Sequence, residues 1–267
     1  MQNLSHRGGR GAVALRPAGG LTGPAAPPAR PAQEVEVKLL VVFGTRPEAI
    51  KMAPVVDRLR RIDGLRTEIC VTAQHREMLD QVLALFGLHP DHDLDLMRPG
   101  QDLTDLTTRI LAGLRPVLAR SAPDRMLVHG DTTTALAAAL AGFYAQVPVA
   151  HVEAGLRSGD ITAPWPEEMN RRLVGRLADT HYAPTETARA ALLAENVPPA
   201  QIHVTGNTVI DALHDIDARF ARSPPLEAEM ARRFAFLDPA RPMVLVTGHR
   251  RENFGPGFER ICHALAR

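Results

Sequence analysis

The sequence predicts a doubly wound α/β protein, a parallel sheet with helices on both faces. Three observations predict it. Short β-branched runs alternate with longer helical stretches from Val37 onward. The strand runs are apolar at successive positions rather than at every second one, the pattern of strands buried on both faces. Each run is followed by a stretch long enough for the crossover that parallel neighbours require.

The strands are expected at Val37–Gly44, Glu68–Thr72, Arg125–Gly130, Val147–Val152, Thr180–Ala183, Ile202–Thr205 and Met243–Thr247. The helices between them are expected at Pro47–Ile62, Arg76–Phe86, Leu103–Arg120, Thr133–Ala145, Glu167–Ala178 and Glu186–Glu195. From Asn207 to Arg241 the pattern changes: a short helix, Ser223-Pro224-Pro225, a second helix, then Pro239. Met243–Thr247 then reads as the first strand of a new unit, followed by a helix at Gly257–Arg267. One strand and one helix cannot build an independent core. The expected organisation is therefore an N-terminal extension over residues 1–36, a complete α/β domain over 37–206, and an incomplete second domain over 207–267.

Composition narrows the function classes. Hydrophobic residues make up 45% of the 267, enough for a sizeable core. Lys and Arg total 31 against 30 for Asp and Glu, which leaves no net charge to attract nucleic acid or an anionic membrane. No apolar run reaches the length of a bilayer span. Cys70 and Cys262 are the two cysteines, far apart in the chain. They make neither a disulfide framework nor a Cys-based metal site, and a reducing cytoplasm is the expected compartment. The extension is rich in Gly, Ala, Pro and Arg and has no acidic residue before Glu34. It reads as a disordered tail, with a targeting peptide as the alternative.

In doubly wound sheets, ligands bind beyond the carboxyl ends of the strands, so those residues are where chemistry is sought. The first strand ends in Gly44-Thr45-Arg46-Pro47-Glu48. Thr45 can cap the helix and Pro47 suits its first turn. Such a helix start offers free N–H groups and a positive dipole end; Arg46 adds a fork-shaped donor matched to phosphate, and Lys51 lies a turn further on. This is neither a dinucleotide fingerprint nor a Walker loop. Asp131 follows the next relevant strand in His129-Gly130-Asp131-Thr132, where it could equally cap a helix. Glu153 stands at the tip of a buried strand in His151-Val152-Glu153, a costly place for an unpaired carboxylate. Trp165, the single tryptophan, precedes Pro166-Glu167-Glu168, two acids in the first turn of a helix that also carries Arg171. His249, Arg250 and Arg251 cluster after Met243–Thr247, again a setting for an anion. Three carboxylates and several cations at strand ends suit proton transfer beside a phosphate seat.

These stretches resemble the non-hydrolysing UDP-N-acetylglucosamine 2-epimerases. The matching segments are GTRPEAIKMAPVV, TAQHREMLDQVL, HGDTTTALAAALAGFY, PVAHVEAGLRSGD, PWPEEMNRRL, PTETARAALLAENV, VTGNTVIDAL and VTGHRRENFG, from about Val37 to Phe258. The resemblance implies two Rossmann-like domains of the GT-B type, the second incomplete here. It implies that UDP is eliminated across C1–C2 to leave a 2-acetamidoglucal, and that UDP then adds back with the C2 proton on the other face. Asp131, Glu153, Glu167 and His249 match the catalytic set. Arg46, Lys51, Arg171 and Arg250 match substrate-binding positions, and Gln74, His75 and Glu77 match a site for an activating second substrate molecule. The resemblance further implies a homodimer acting on UDP-N-acetylglucosamine without cofactor or metal. A hydrolysing relative that releases free N-acetylmannosamine, a glycosyltransferase of the same architecture, and an inactive fragment are the alternatives.

Overall fold

The computed structural model describes residues 36–73, 76–238, 240–247 and 255–266. Seven strands form one sheet: β1 (Val37–Phe43), β2 (Leu65–Val71), β3 (His92–Asp93), β4 (Arg125–His129), β5 (Val149–Val152), β6 (Thr180–Ala183) and β7 (Ile202–Val204). Their order is β3-β2-β1-β4-β5-β6-β7 and every pairing is parallel. The chain builds outward from β1 to β3 in one direction, then returns to the middle and builds from β4 to β7 in the other. The sheet's switch point thus lies between β1 and β4, the place beyond the strand ends where such sheets take their ligands.

The crossovers are α1 (Arg46–Leu59), α2 (Arg76–Phe86), α3 (Leu103–Ser121), α4 (Thr133–Tyr144), α5 (Glu167–Leu177) and α6 (Glu186–Ala194). α7 (Thr208–Arg222), α8 (Pro224–Arg233) and α9 (Pro256–Leu265) come after the last strand. β1 shows why its successive residues are all apolar. Leu39, Val41 and Phe43 face a core shared with α1 and α2, whereas Leu40 and Val42 face a core shared with α3 and α4. Each such buried side chain contributes about 1.5–3 kcal/mol, so the central strand draws on both layers.

Two expectations meet different outcomes. β3 has two residues, too few to leave a period-two signal, and it is held at the edge by its pairing with Cys70 and Val71. Met243–Thr247 does not form the expected strand. Met243, Val244, Leu245 and Val246 are all more than half exposed. A β-branched run becomes a strand only when another strand satisfies its backbone groups, and among the described residues this one has no partner strand. Pro239 and residues 248–254 lie outside the described residues, and α9 buries none of its residues.

The helix expected to be short after Asn207 runs 15 residues as α7. It packs against α1, with Ala212 buried in the β1–α1 core and Ile216 beside it. Arg219 on α7 reaches across to α2, donating hydrogen bonds to the carbonyls of Leu85 and Phe86 at 3.0 and 3.3 Å. Its guanidinium also lies 5.5 Å from the centre of the Phe86 ring. These carbonyls belong to the last turn of α2, whose own ladder leaves them without partners. Replacing Arg219 by Ala should cost about 1 kcal/mol, read as a lower urea midpoint with an unchanged denaturant slope.

Among the described residues no helix is long and apolar enough to cross a membrane. No group of three or more His, Cys, Asp or Glu among them is arranged to hold a metal ion.

Candidate active site

The strand registers bring four chain segments to one edge of the sheet. Phe43 pairs with Val71, Val42 with Val128, and His129 with Val152. Gly44, Thr72, Gly130 and Glu153 therefore follow the strands side by side, on both sides of the switch point.

Gly44 has to be glycine because of close approach. A Cβ there would lie 2.1 Å from Thr72 Oγ1 and 2.5 Å from Thr134 Oγ1. Those two hydroxyls share a buried hydrogen bond of 2.9 Å. After Gly44, Thr45 caps α1 in a reciprocal box: its hydroxyl accepts from the Glu48 N–H, and Glu48 Oε2 accepts from the Thr45 N–H at 2.7 Å. Glu48 does more than cap. Its Oε2 also accepts from the Gly44 N–H at 3.1 Å, and its Oε1 accepts from the Thr132 hydroxyl at 2.7 Å. One buried carboxylate thus ties the turn after β1 to the turn after β4. Burial raises its pKa above the ordinary carboxylate value, against the opposing hydrogen bonds from Thr132, Thr45 and Gly44. Arg46 stands exposed at the first position of this helix, with no hydrogen bond to the acidic residues among the described residues.

Asp131 follows Gly130, whose φ of +66° turns the chain sharply out of β4. His151 Nε2 donates to the Gly130 carbonyl at 2.7 Å and braces that turn from the neighbouring strand. Asp131 does not cap α4; Thr132 does, accepting from the Ala135 N–H. The Asp131 carboxylate is instead gripped from α5. Arg171 Nη2 donates to its Oδ2 at 2.6 Å, and Asn170 Nδ2 donates to the Asp131 backbone carbonyl at 2.9 Å. Burial pushes the Asp131 carboxyl above its ordinary value; Arg171 pulls it down, and Glu167 and Glu153 push it up again. Those influences bring the three expected carboxylates into one electrostatic neighbourhood.

Glu153 occupies the left-handed region, φ +63°, an uncommon place for a residue with a side chain. Strain of about 1–2 kcal/mol follows. What holds it there is its carboxylate. Lys51 Nζ, from α1, donates to Oε1 at 2.8 Å and Oε2 at 2.6 Å, and Asn207 Nδ2 donates to Oε2 at 3.1 Å. Glu167 opens α5, one turn before Arg171 on the same helical face. Its neighbour Glu168 has a different duty. It is fully buried, accepts from the Ser158 N–H at 3.0 Å and from Arg172 Nε at 2.8 Å, and lies 3.5 Å from Arg171. Burial works to raise its pKa, but those partners hold it below the ordinary value.

Six expected residues, Asp131, Glu153, Glu167, Lys51, Arg171 and Arg46, thus lie on strand-end turns or the helices that start there. Glu77 stands exposed in the first turn of α2, without a hydrogen bond to the acidic cluster among the described residues. Gln74, His75, His249 and Arg250 lie outside the described residues. Sequence reasoning missed Glu48, Asn170 and Asn207, all of which anchor this edge. Only Glu48 left a local signal, since Thr45-x-x-Glu48 is a capping-box pattern.

The model of the family described as UDP-N-acetylglucosamine 2-epimerase matches residues 57–267. The chain belongs to the UDP-N-acetylglucosamine 2-epimerase family. A UDP-N-acetylglucosamine 2-epimerase of Yersinia pestis is 64% identical over 230 residues, covering 86% of this chain and 61% of the relative. Its counterpart in Escherichia coli K12 is 60% identical over the same shares. The crystal structure of the UDP-GlcNAc 2-epimerase from Neisseria meningitidis bound to UDP-GlcNAc superposes with a TM-score of 0.82 at 48% identity, covering 86% of this chain and 62% of that one. The doubly wound sheet is thus the Rossmann-like fold of this epimerase family, and the chain spans about 61% of the length of the curated relatives it matches.

Three buried histidines of adjacent strands, His129, His151 and His181, give this half an acid-sensitive core. Burial pushes His129 and His151 down to about 3 and lowers His181. In the unfolded chain each titrates near its ordinary value of about 6.5. The unfolded state therefore takes up protons first as pH falls below that value, and the stability these neutral rings contribute drains away toward pH 3. His129 and His151 should each add about 1 kcal/mol per pH unit to the loss within that window, and His181 acts in the same direction. Urea midpoints between pH 7 and pH 4.5 should fall, and they should fall less steeply in His129→Phe.

Proposed function

We propose that this chain supplies the catalytic face of an enzyme that interconverts UDP-N-acetylglucosamine and UDP-N-acetylmannosamine by eliminating UDP and adding it back. One observation carries the proposal. Asp131, whose carboxyl is held above its ordinary value by burial and by Glu167 and Glu153, is bonded at the switch point to Arg171 of α5, while Glu153 at the end of the next strand is bonded to Lys51 of α1.

The chemistry fits that arrangement. The C2–H of the sugar is not next to a carbonyl, so a free carbanion is out of reach. Loss of the C2 proton to a carboxylate, with the electrons forming C1=C2 and the C1–O bond breaking toward the diphosphate, avoids it. The glucal that remains has no stereocentre at C2. Protonation from the opposite face and attack of UDP at C1 restore the bond with inverted C2. The protein must offer a base on one face, an acid on the other, and positive charge for the leaving diphosphate. We assign the proton transfers to Asp131, Glu153 and Glu167 with His249, and the diphosphate and substrate contacts to Arg46, Lys51, Arg171 and Arg250. Carboxylates crowded together raise one another's proton affinity, which suits a site where one must give a proton and another take it. A second UDP-sugar held near Gln74, His75 and Glu77 would act as activator.

We read the enzyme as a cytoplasmic homodimer that feeds a cell-surface polysaccharide. The exposed Phe143 and Tyr144, at 59% and 70%, beside an apolar groove lined by Leu111, Leu118 and Ala141, support a partner subunit there. Sedimentation would check it.

The deciding experiment is incubation of the full-length protein with UDP-N-acetylglucosamine in deuterated water. Deuterium should enter C2 of the intact nucleotide sugar in both epimers. Free sugar appearing in step with UDP would instead mean hydrolysis, and intact binding without exchange would reject the assignment.

A further inference from the structure

We propose that His129 is a positioning residue for this reaction: its uncharged ring takes over one carboxylate oxygen of Glu153 when Lys51 leaves that carboxylate for the substrate's diphosphate. The inference rests on the assignments of Lys51 and Glu153 made above.

His129 closes β4 with its side chain 3% exposed. Neither ring nitrogen has a hydrogen-bond partner among the described residues. That is an expensive way to fill a core position, since a buried N–H without an acceptor loses its hydration for nothing. An apolar ring would fill the same space. His151, on the next strand, makes the contrast, because its Nε2 has the Gly130 carbonyl. The His129 Nε2 faces Glu153 Oε2 at 3.8 Å, just beyond hydrogen-bond range.

The reason for that gap is the present owner of the carboxylate. Lys51 holds both oxygens, and Asn207 holds Oε2 as well. A carboxylate clasped by an ammonium on both oxygens is poorly placed to accept a proton from carbon. Lys51 springs from α1, one turn on from the phosphate-matched helix start, so an arriving diphosphate competes for it. Once Lys51 turns away, Glu153 in its strained backbone would lose most of what aims it. Asn207 and a neutral imidazole can keep it aimed without supplying a positive charge, and so leave it able to take a proton. Burial penalises the charged form of the His129 ring and Lys51 from α1 repels a proton; together they outweigh the pull of its own backbone, and His151 lies beside it on β5. A neutral ring has one N–H, which this hand-over places on Nε2.

Two measurements on the full-length protein test it. In long-range proton–nitrogen spectra, His129 should carry its proton on Nε2, and saturation with UDP should move that Nε2–H signal downfield. A proton on Nδ1, or an Nε2–H signal unmoved while UDP shifts the Lys51 ammonium, overturns the proposal. In the exchange assay, His129→Phe should lower kcat roughly 100-fold with KM within about threefold, and His129→Gln, which can still donate, should recover about tenfold of that loss. A Phe variant that keeps kcat within threefold, or a Gln variant no better than a folded Phe variant, makes His129 a filler and ends the idea. If UDP moves the Nε2–H signal but the wild type exchanges no C2 hydrogen, the hand-over stands and the assigned reaction falls; exchange with an unmoved signal gives the reverse.

Discussion

Asp131→Asn should lower kcat about a thousandfold while leaving the KM for UDP-N-acetylglucosamine within about threefold. The asymmetry follows from what the substitution spares. The amide oxygen of Asn can still accept the Arg171 hydrogen bond of 2.6 Å, and the backbone carbonyl keeps Asn170. The turn that β4, Gly130 and His151 build is therefore preserved, and with it the shape of the site. What disappears is the exchangeable proton and the charge that Glu153 and Glu167 feel. Steady-state kinetics checks the split. A comparable loss in both parameters would move Asp131 from proton transfer to substrate binding.

Gly44→Ala should destabilise the chain by about 3 kcal/mol and with it abolish binding at the helix start. The added methyl would need to sit where Thr72 and Thr134 hydroxyls already touch, at 2.1 and 2.5 Å. Both threonines are fully buried and bonded to each other, so neither can swing into water. The turn would have to lift, which breaks the Gly44 and Thr45 N–H bonds to Glu48 and frees the link to Thr132. Chemical denaturation measures the loss. Truncating both obstacles, in Gly44→Ala with Thr72→Ala and Thr134→Ala, should recover part of the stability; no recovery would place the strain elsewhere.

Those two residues also show how far sequence reading reaches. Asp131 and Gly44 were legible because a strand running into Gly and then a polar helix start is a local pattern. So were β6 and α2, whose bounds at Thr180–Ala183 and Arg76–Phe86 come out as expected. What locality hides is partnership. Lys51 and Glu153 are 102 residues apart, and nothing local shows that the cation expected to meet phosphate also pairs with Glu153. Asn207, 54 residues from Glu153, caps α7, and nothing in its sequence neighbours points to Glu153. Met243–Thr247 fails for the converse reason: a β-branched run carries propensity but cannot carry its own neighbours. The four expected residues outside the described segments, Gln74, His75, His249 and Arg250, keep their assignments as proposals resting on motif alone.

The backbone of Glu153 sets a trap for anyone seeking a hardier protein. With φ at +63°, the position favours Gly or Asn on conformational grounds. A screen that rewards only heat tolerance would weigh that backbone relief against the lost Lys51 and Asn207 bonds, and under the role proposed for Glu153 its survivors would lose turnover. Under the role proposed for Glu153, turnover rather than fold stability is what keeps an acidic side chain at this left-handed position.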